Sequence, residues 1–574
     1  MRRAFPLHQA GDVARAETLY LEILALSPGD ADAQFLLGRI AQERGQASEA
    51  ERRVRAAIEA NGAEAEFHRA LADILVSREA WLEAAAASRR ALELDAKDPQ
   101  AWITLGRSLR ETRQLEEACA CFDQAIRIAP ESAASFLGAA LVCSDLAQVD
   151  EAIAHLRRAR ALAPSDLGLL STYLFTLNLS TSLGRDDIFR EHLECERLLG
   201  ALRRPARSAG PGGRLRIGYL SPDFRSHVVA FFIEPVLAHH DRNRFEICGY
   251  SLHPRRDPVT ERLQARCDQW LDCATLSDEA LAQRIEDDRI DILVDLAGHT
   301  GGNRIAVVAR HPAPVVVTWL GYLNTTGLRS VDYRITDGYA DPPGLTERFH
   351  TEKLVRMPAS QWCREKPEPA LAVSPLPALS AGAVRFGSFN KSAKLTRETL
   401  RLWSKLLLRV PRSTLLLVDI EDRRREDIRE ALRAGGVDAD RLSFEGRLPY
   451  AQFLGAHAYV DIALDPYPYS GATTTIDSLW MGVPVLTLAG GTPISRSTAS
   501  ILETLGMHGW IARSKEEFLD VAVHRCRDLP ALASLRSRLR TALEASPLMQ
   551  CAEFTRHLEQ RYLEMWREHA SATR

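Results

Sequence analysis

Between Leu464 and Pro484 the chain runs Leu-Asp-Pro-Tyr-Pro-Tyr-Ser-Gly-Ala-Thr-Thr-Thr-Ile-Asp-Ser-Leu-Trp-Met-Gly-Val-Pro. A strand end, a proline-rich turn, three hydroxyls and a helix start follow in that order. Thr473, Thr474 and Thr475 would present hydroxyls and backbone N–H groups at the positive end of that helix, a cradle for a diphosphate. Asp477, a turn further on, would accept from ribose hydroxyls. A helix N-cap with a polar first turn is the competing reading of the same residues.

Cations stand in a second stretch, Phe386-Gly-Ser-Phe-Asn-Lys-Ser-Ala-Lys394, where a strand ends in a small-residue loop. Lys394, with Lys391 beside it, would neutralise the phosphates of a leaving nucleotide. Upstream, His227 follows Gly218-Tyr-Leu-Ser-Pro-Asp-Phe-Arg-Ser, and a further histidine lies in Asp295-Leu-Ala-Gly-His-Thr-Gly-Gly-Asn-Arg304. Two histidines at strand ends facing one cleft suit acid–base work; a lone histidine is more often structural. The first strand is not followed by GxGxxG, which argues against an ordinary dinucleotide dehydrogenase. Asp30-Ala-Asp32 and Asp438-Ala-Asp440 fall where a metal-binding DxD would have no role, and the ten scattered cysteines contain no CxxC, so no metal is expected.

The elements that must hold these residues are β-rich runs alternating with helical stretches after Gly213. The first set is Leu215–Leu220, Phe245–Leu252, Ile290–Leu296 and Val315–Leu320; the second is Val384–Phe389, Thr414–Val418, Ala458–Leu464 and Val483–Leu488. The alternation predicts parallel sheets with helical crossovers. The span is too long for one sheet, so two Rossmann-like lobes are expected: 214–366, a linker at 367–383, and 384–574 with a C-terminal amphipathic helix near Phe554–Trp566.

The first part of the chain repeats. Alanine recurs at Ala16, Ala50, Ala84, Ala118 and Ala152, each 34 residues after the last, and Pro28, Pro130 and Pro164 keep the same phase. This is the period of tetratricopeptide repeats, about five of them over 1–164, with a helical linker at 165–213. Small residues let paired helices approach, larger ones wedge between them, and the proline stops the second helix. Such an array typically offers a concave face to peptides; a spacer or dimerisation arm is the plainer alternative.

Bulk properties restrict the function classes. The 574 residues carry a formal net charge of −3, which gives no basic footprint for nucleic acid, and mean hydropathy is −0.18. No apolar run is long enough to span a bilayer, and Met1-Arg-Arg3 is not followed by a secretory segment. A cytoplasmic protein with neither a membrane nor a nucleic-acid partner is expected.

From Leu215 to Trp566 the chain resembles the protein O-linked N-acetylglucosaminyltransferase family (glycosyltransferase family 41), including its SPINDLY-like branch. The resemblance rests on Tyr219-Leu-Ser-Pro-Asp-Phe224 with His227, Gly298-His-Thr300, Pro312-Ala-Pro-Val315, Thr318-Trp-Leu-Gly-Tyr322 and Asn324-Thr-Thr-Gly327. Phe386-Gly-Ser-Phe-Asn390 with Lys394, and Thr473 through Pro484, complete it. It implies a GT-B architecture and an inverting, metal-independent, cofactor-free transfer of N-acetylglucosamine from UDP-N-acetylglucosamine to Ser or Thr hydroxyls of proteins held by the repeats. By position, His227 and Lys394 match catalytic residues, and Lys394, Thr473, Thr474, Thr475 and Asp477 match donor-binding ones. Phe453 stands where the family stacks a histidine on uracil. Asp223, Gly298, His299, Thr300 and Tyr322 are expected at an acceptor or sugar pocket.

Three departures qualify that match: Ala472 replaces a histidine before the threonines, Phe453 replaces the stacking histidine, and Asn61 is the only asparagine before Asn178, so no asparagine ladder lines the repeats. The Asn324-Thr-Thr-Gly327 and Thr473–Thr475 runs look more like the SPINDLY branch, whose donor in plants is GDP-fucose, whereas Asp477 fits the N-acetylglucosamine side. Protein O-fucosylation therefore stays as an alternative. So do a non-catalytic, nucleotide-sensing repeat scaffold and a transferase acting on a lipid or glycan. Self-association is left open.

Overall fold

The computed structural model describes residues 4–199 and 213–572, which divide into two compact units at Pro164/Ser165. The boundary loop expected at 203–213 lies, apart from Gly213, outside the described residues.

The first unit is all helical, and its phase follows the alanine spacing. Helices begin at Val13, Ala47, Trp81, Leu115 and Val149, and their partners at Ala31, Ala65, Pro99 and Ala133, both series in steps of 34. The phased alanines Ala16, Ala50, Ala84, Ala118 and Ala152 are all 0% exposed. The reason for small residues is clearest at Phe122. Its ring fills the space where a Cβ on Gly106 or Gly138 would stand, 2.9 Å and 2.0 Å from ring atoms. Asp30, Asp98 and Ser132, in the same phase, accept backbone N–H bonds that cap the partner helices.

The second unit holds two parallel sheets. The first comprises β1 (Leu215–Ser221), β2 (Phe245–Ser251), β3 (Gln269–Asp272), β4 (Ile292–Asp295), β5 (Val315–Thr318), β6 (Tyr333–Asp337) and β7 (Lys353–Met357), in the order β3-β2-β1-β4-β5-β6-β7. The second comprises β8 (Arg385–Ser388), β9 (Thr414–Leu417), β10 (Leu442–Phe444), β11 (Ile462–Leu464), β12 (Val485–Leu488) and β13 (Ile511–Ala512), in the order β10-β9-β8-β11-β12-β13. The order reverses beside β1 and β4 in one sheet and beside β8 and β11 in the other. Ligand crevices form at the carboxyl ends of strands that flank such a reversal.

Three expectations change. The strand expected over Ala458–Leu464 is only Ile462–Leu464, because His457–Tyr459 forms a 3₁₀ turn. Residues 165–199 are not a linker. Helices Leu167–Leu177, Arg185–His192 and Glu194–Leu199 belong to the second unit, and Leu170, Tyr173, His192 and Cys195 are buried in it. The last helix, Cys551–Ala572, follows the second lobe in sequence but packs on the first. Its buried face meets Trp319 through Phe554, and the Tyr562 hydroxyl lies 3.1 Å from that of Tyr219. Glu559 lies 3.0 Å from the His240 ring nitrogen and accepts the Asp241 N–H at 2.8 Å. An amphipathic helix settles where its apolar stripe and its polar groups are both matched, whichever lobe supplies the match.

Candidate active site

The mouth of the second lobe is built by the loops after β8 and β11. Leaving β11, Asp465 turns back into the loop: its carboxylate accepts the Gly471 N–H at 2.7 Å and the Thr487 hydroxyl at 2.7 Å. A side chain on Gly471 would collide with Thr474 and Thr475, 2.7 and 2.8 Å from its Cβ, so glycine is required for the chain to enter the helix Thr473–Trp480. That helix has Ala472 at its N-cap and receives no side-chain cap. Among the described residues the amides of Thr473, Thr474 and Thr475 meet no protein acceptor, so the positive helix end stays open to an anion.

Lys394 reaches the same place from the loop after β8. Its ammonium donates to the Ser470 carbonyl at 3.0 Å and to Asn390 Oδ1 at 3.4 Å, and lies 4.4 Å from the centre of the Tyr469 ring. The Thr474 hydroxyl donates to the same Asn390 oxygen at 3.3 Å. Asn390 thus gathers the lysine and the threonine on one spot. Burial lowers the Lys394 ammonium to about 8, opposed by the Asp465 charge and reinforced by Lys391. Burial raises Asp465 to about 6.

The other expected residues divide. Thr475 is turned inward, its hydroxyl 2.8 Å from that of Thr498, while Thr473 and Thr474 stay half-buried. Asp477 is buried, and its Oδ1 accepts from both Arg364 and the Tyr450 hydroxyl at 2.8 Å. Burial raises its carboxyl and the Arg364 charge opposes that rise. Phe453 is half-buried, edge-on to Phe389 at 5.7 Å and alongside Tyr450 at 6.3 Å.

On the first lobe, His227 caps the helix Val228–His239, its Nδ1 accepting the Val229 N–H at 3.3 Å. Asp223 Oδ1 lies 3.4 Å from the same nitrogen. With Nδ1 accepting, the neutral ring carries its proton on Nε2. Burial lowers His227 and raises Asp223, and the charge of each opposes the shift of the other. Lys391 of the second lobe also acts electrostatically on His227, adding to the lowering.

The pocket expected from Gly298, His299 and Tyr322 is instead closed interior. His299 is 1% exposed; its Nδ1 lies 3.0 Å from the Ser171 hydroxyl and its Nε2 2.8 Å from the Thr326 carbonyl. Burial lowers it to about 4. Tyr322, edge-on at 5.2 Å, has its hydroxyl bonded to His192 at 2.6 Å, Asn178 at 2.9 Å and the Leu174 carbonyl at 3.2 Å. Gly298 adopts φ +54°, and a Cβ there would stand 2.5 Å from Tyr322. Thr300 bonds its own turn through the Ala297 carbonyl. Helix 167–177 and the two that follow cover His299 and Tyr322.

Asn390, Asp465 and Tyr469 lie inside the two telltale stretches but were not singled out from sequence. Arg364 had no local signal, since its partner is 113 residues away. Among the described residues no group of three or more His, Cys, Asp or Glu is assembled as metal ligands, and no helix is long and apolar enough to cross a membrane.

Two parallel α/β lobes facing each other, joined by a crossing C-terminal helix and bearing an open helix end beside a lysine, define the GT-B class of glycosyltransferases. Within that class the chain belongs to glycosyl transferase family 41, whose profile matches residues 200–367 and 371–558. A tetratricopeptide-repeat profile matches 7–74, and one for subunit 3 of the anaphase-promoting complex (cyclosome) matches 77–159.

The probable UDP-N-acetylglucosamine–peptide N-acetylglucosaminyltransferase SPINDLY of Solanum lycopersicum is 39% identical over 370 residues, 62% of this chain and 39% of that protein. Its SEC counterpart from Arabidopsis thaliana is 31% identical over 377 residues, 64% of this chain and 38% of that protein. The chain therefore spans about two fifths of the length of the curated relatives it matches. A mutant O-GlcNAc transferase of Thermobaculum terrenum is similar in structure: TM-score 0.84, 33% identity, 89% of this chain and 98% of that one.

Proposed function

We propose that this chain is a cytoplasmic enzyme transferring N-acetylglucosamine from UDP-N-acetylglucosamine to Ser or Thr hydroxyls of proteins, with inversion and without a metal. The observation that carries it is the convergence on Asn390 of Lys394 and Thr474 at an uncapped helix end. Charge grows on the leaving diphosphate as the sugar bond breaks. A lysine ammonium, two threonine hydroxyls and three unpaired amides, fixed before the reaction, answer that charge. Thr473 and Thr474 supply the hydroxyls; Thr475 contributes through its amide. With that positive charge already built in, the reaction needs no cation. Phe453 offers a ring to the base, and Asp477, whose Oδ1 is taken by Arg364 and Tyr450, would reach ribose through its other oxygen. His227, donating from Nε2 with Asp223 beside its ring, orients the acceptor hydroxyl. The names of the relatives support the donor assignment, and the repeat unit supports a protein acceptor.

The test is thermal stabilisation of the purified chain by UDP and by GDP, followed by transfer from the matching nucleotide sugar to a protein acceptor. A nucleotide at 100 times its dissociation constant adds about 2.7 kcal/mol to native stability. UDP should stabilise and GDP should not. The reverse preference would make the chain a fucosyltransferase-like enzyme on the same architecture, and silence from both would leave a repeat scaffold.

A further inference from the structure

Helix Leu167–Leu177 follows the repeats in sequence, yet it delivers a ring to Tyr469, on which the Lys394 ammonium rests. The Phe175 ring lies 5.9 Å from Tyr469 with 47° between the planes, and Tyr469 carries the Lys394 ammonium 4.4 Å from its centre. Both rings are half-buried. Phe175 is not free to wander. Its neighbour Leu174 accepts from the Tyr322 hydroxyl at 3.2 Å, Asn178 donates to that hydroxyl at 2.9 Å, and Ser171 lies 3.0 Å from His299. The closed polar cluster of the first lobe thus fixes the ring that backs Tyr469.

We infer that Tyr469, held from behind by Phe175, is a positioning residue that keeps the Lys394 ammonium charged and aimed at the helix end of Thr473 and Thr474. The inference rests on the reading of Lys394 as the diphosphate cation. The negative face of an aromatic ring favours a cation above it, and the Ser470 carbonyl and Asn390 fix the direction of the ammonium. The charged groups that act on it are Asp465, which favours the charged form, and Lys391, which opposes it. Burial alone disfavours the ammonium, so a ring that restores the balance matters most at the alkaline end of the working range.

The experiment is the affinity of the full-length chain for UDP as a function of pH, in wild type, Tyr469→Phe, Tyr469→Leu, Phe175→Leu and Lys394→Met. Tyr469→Leu should weaken binding roughly tenfold and move its alkaline limb down by about one pH unit. Tyr469→Phe, which keeps the ring face, should retain both, and Phe175→Leu should shift the limb in the same direction by less. If Tyr469→Leu fails to fold, Phe175→Leu carries the test. An unmoved limb in the leucine variants, or a phenylalanine variant as impaired as the leucine one, overturns the inference. Lys394→Met binding UDP as well as wild type would instead overturn the reading of Lys394 itself.

Discussion

The helix-end mouth of the second lobe and the His299 cluster of the first handle polar groups in opposite ways. At the mouth of the second lobe, three helix amides are left without protein partners and a lysine is held partly out of water beside them. Under the first lobe, His299, Tyr322 and His192 are closed over and every ring nitrogen and hydroxyl has a partner. Unmet donors cost stability and are kept where a ligand completes them, whereas a satisfied network rigidifies. Polar density alone therefore does not mark a site; the unfinished hydrogen bonds do.

That contrast can be broken most directly at Lys394. Lys394→Ala should lower turnover by about 100-fold or more, the ~3–4 kcal/mol of a preorganised donor, with the unfolding midpoint little changed; near-normal turnover would remove it from the mechanism. Tyr322→Phe is the mirror experiment. It strips a hydroxyl from His192 and Asn178 and should cost ~1–3 kcal/mol of stability, read from denaturant unfolding of the second unit, with kcat and donor KM changing far less than in Lys394→Ala.

The pH profile sharpens the comparison further. Lys394 must be protonated to meet phosphate, so donor kcat/KM should fall as pH rises through about 8, roughly tenfold per further unit. The closed histidines lie too low to add a limb there, His299 at about 4. The smallest effect belongs to Thr474→Val, which keeps the shape but removes the hydroxyl shared with Asn390. UDP affinity should weaken by ~0.5–1.5 kcal/mol, and an equal loss on Thr475→Val would contradict the inward turn of that side chain.

Much of this was legible because it is local. The 34-residue alanine phase set the helix starts of the first unit, and the strand–turn–hydroxyl–helix order from Leu464 onward marked the uncapped helix end where Lys394 and Thr474 meet at Asn390. β3, β6, β7, β10 and β13 escaped; in β6, Tyr333–Asp337 contains Arg334 and Asp337, charges that read as surface but are 1% and 0% exposed. Arg334 pairs with Asp341 at 2.6 Å, and Asp337 accepts the Ser500 hydroxyl at 2.6 Å across the lobes. His299 looked like a site residue because its loop sits at a strand end, and nothing nearby in sequence announces the helices that cover it.

The sequence by itself carried the family, the repeat period, the two-lobe plan and the turn-and-helix stretch around Thr473–Thr475, because each follows from motifs and spacings along the chain. Only the tertiary structure decided that His299 and Tyr322 are interior, that Arg364 occupies Asp477, that the last helix returns to the first lobe and that Phe175 stands behind Tyr469. Those pairings join residues 113 to 343 positions apart or elements separated by whole sheets. They depend on which apolar face and which unsatisfied donor meet after folding, a matter of packing that no local pattern encodes.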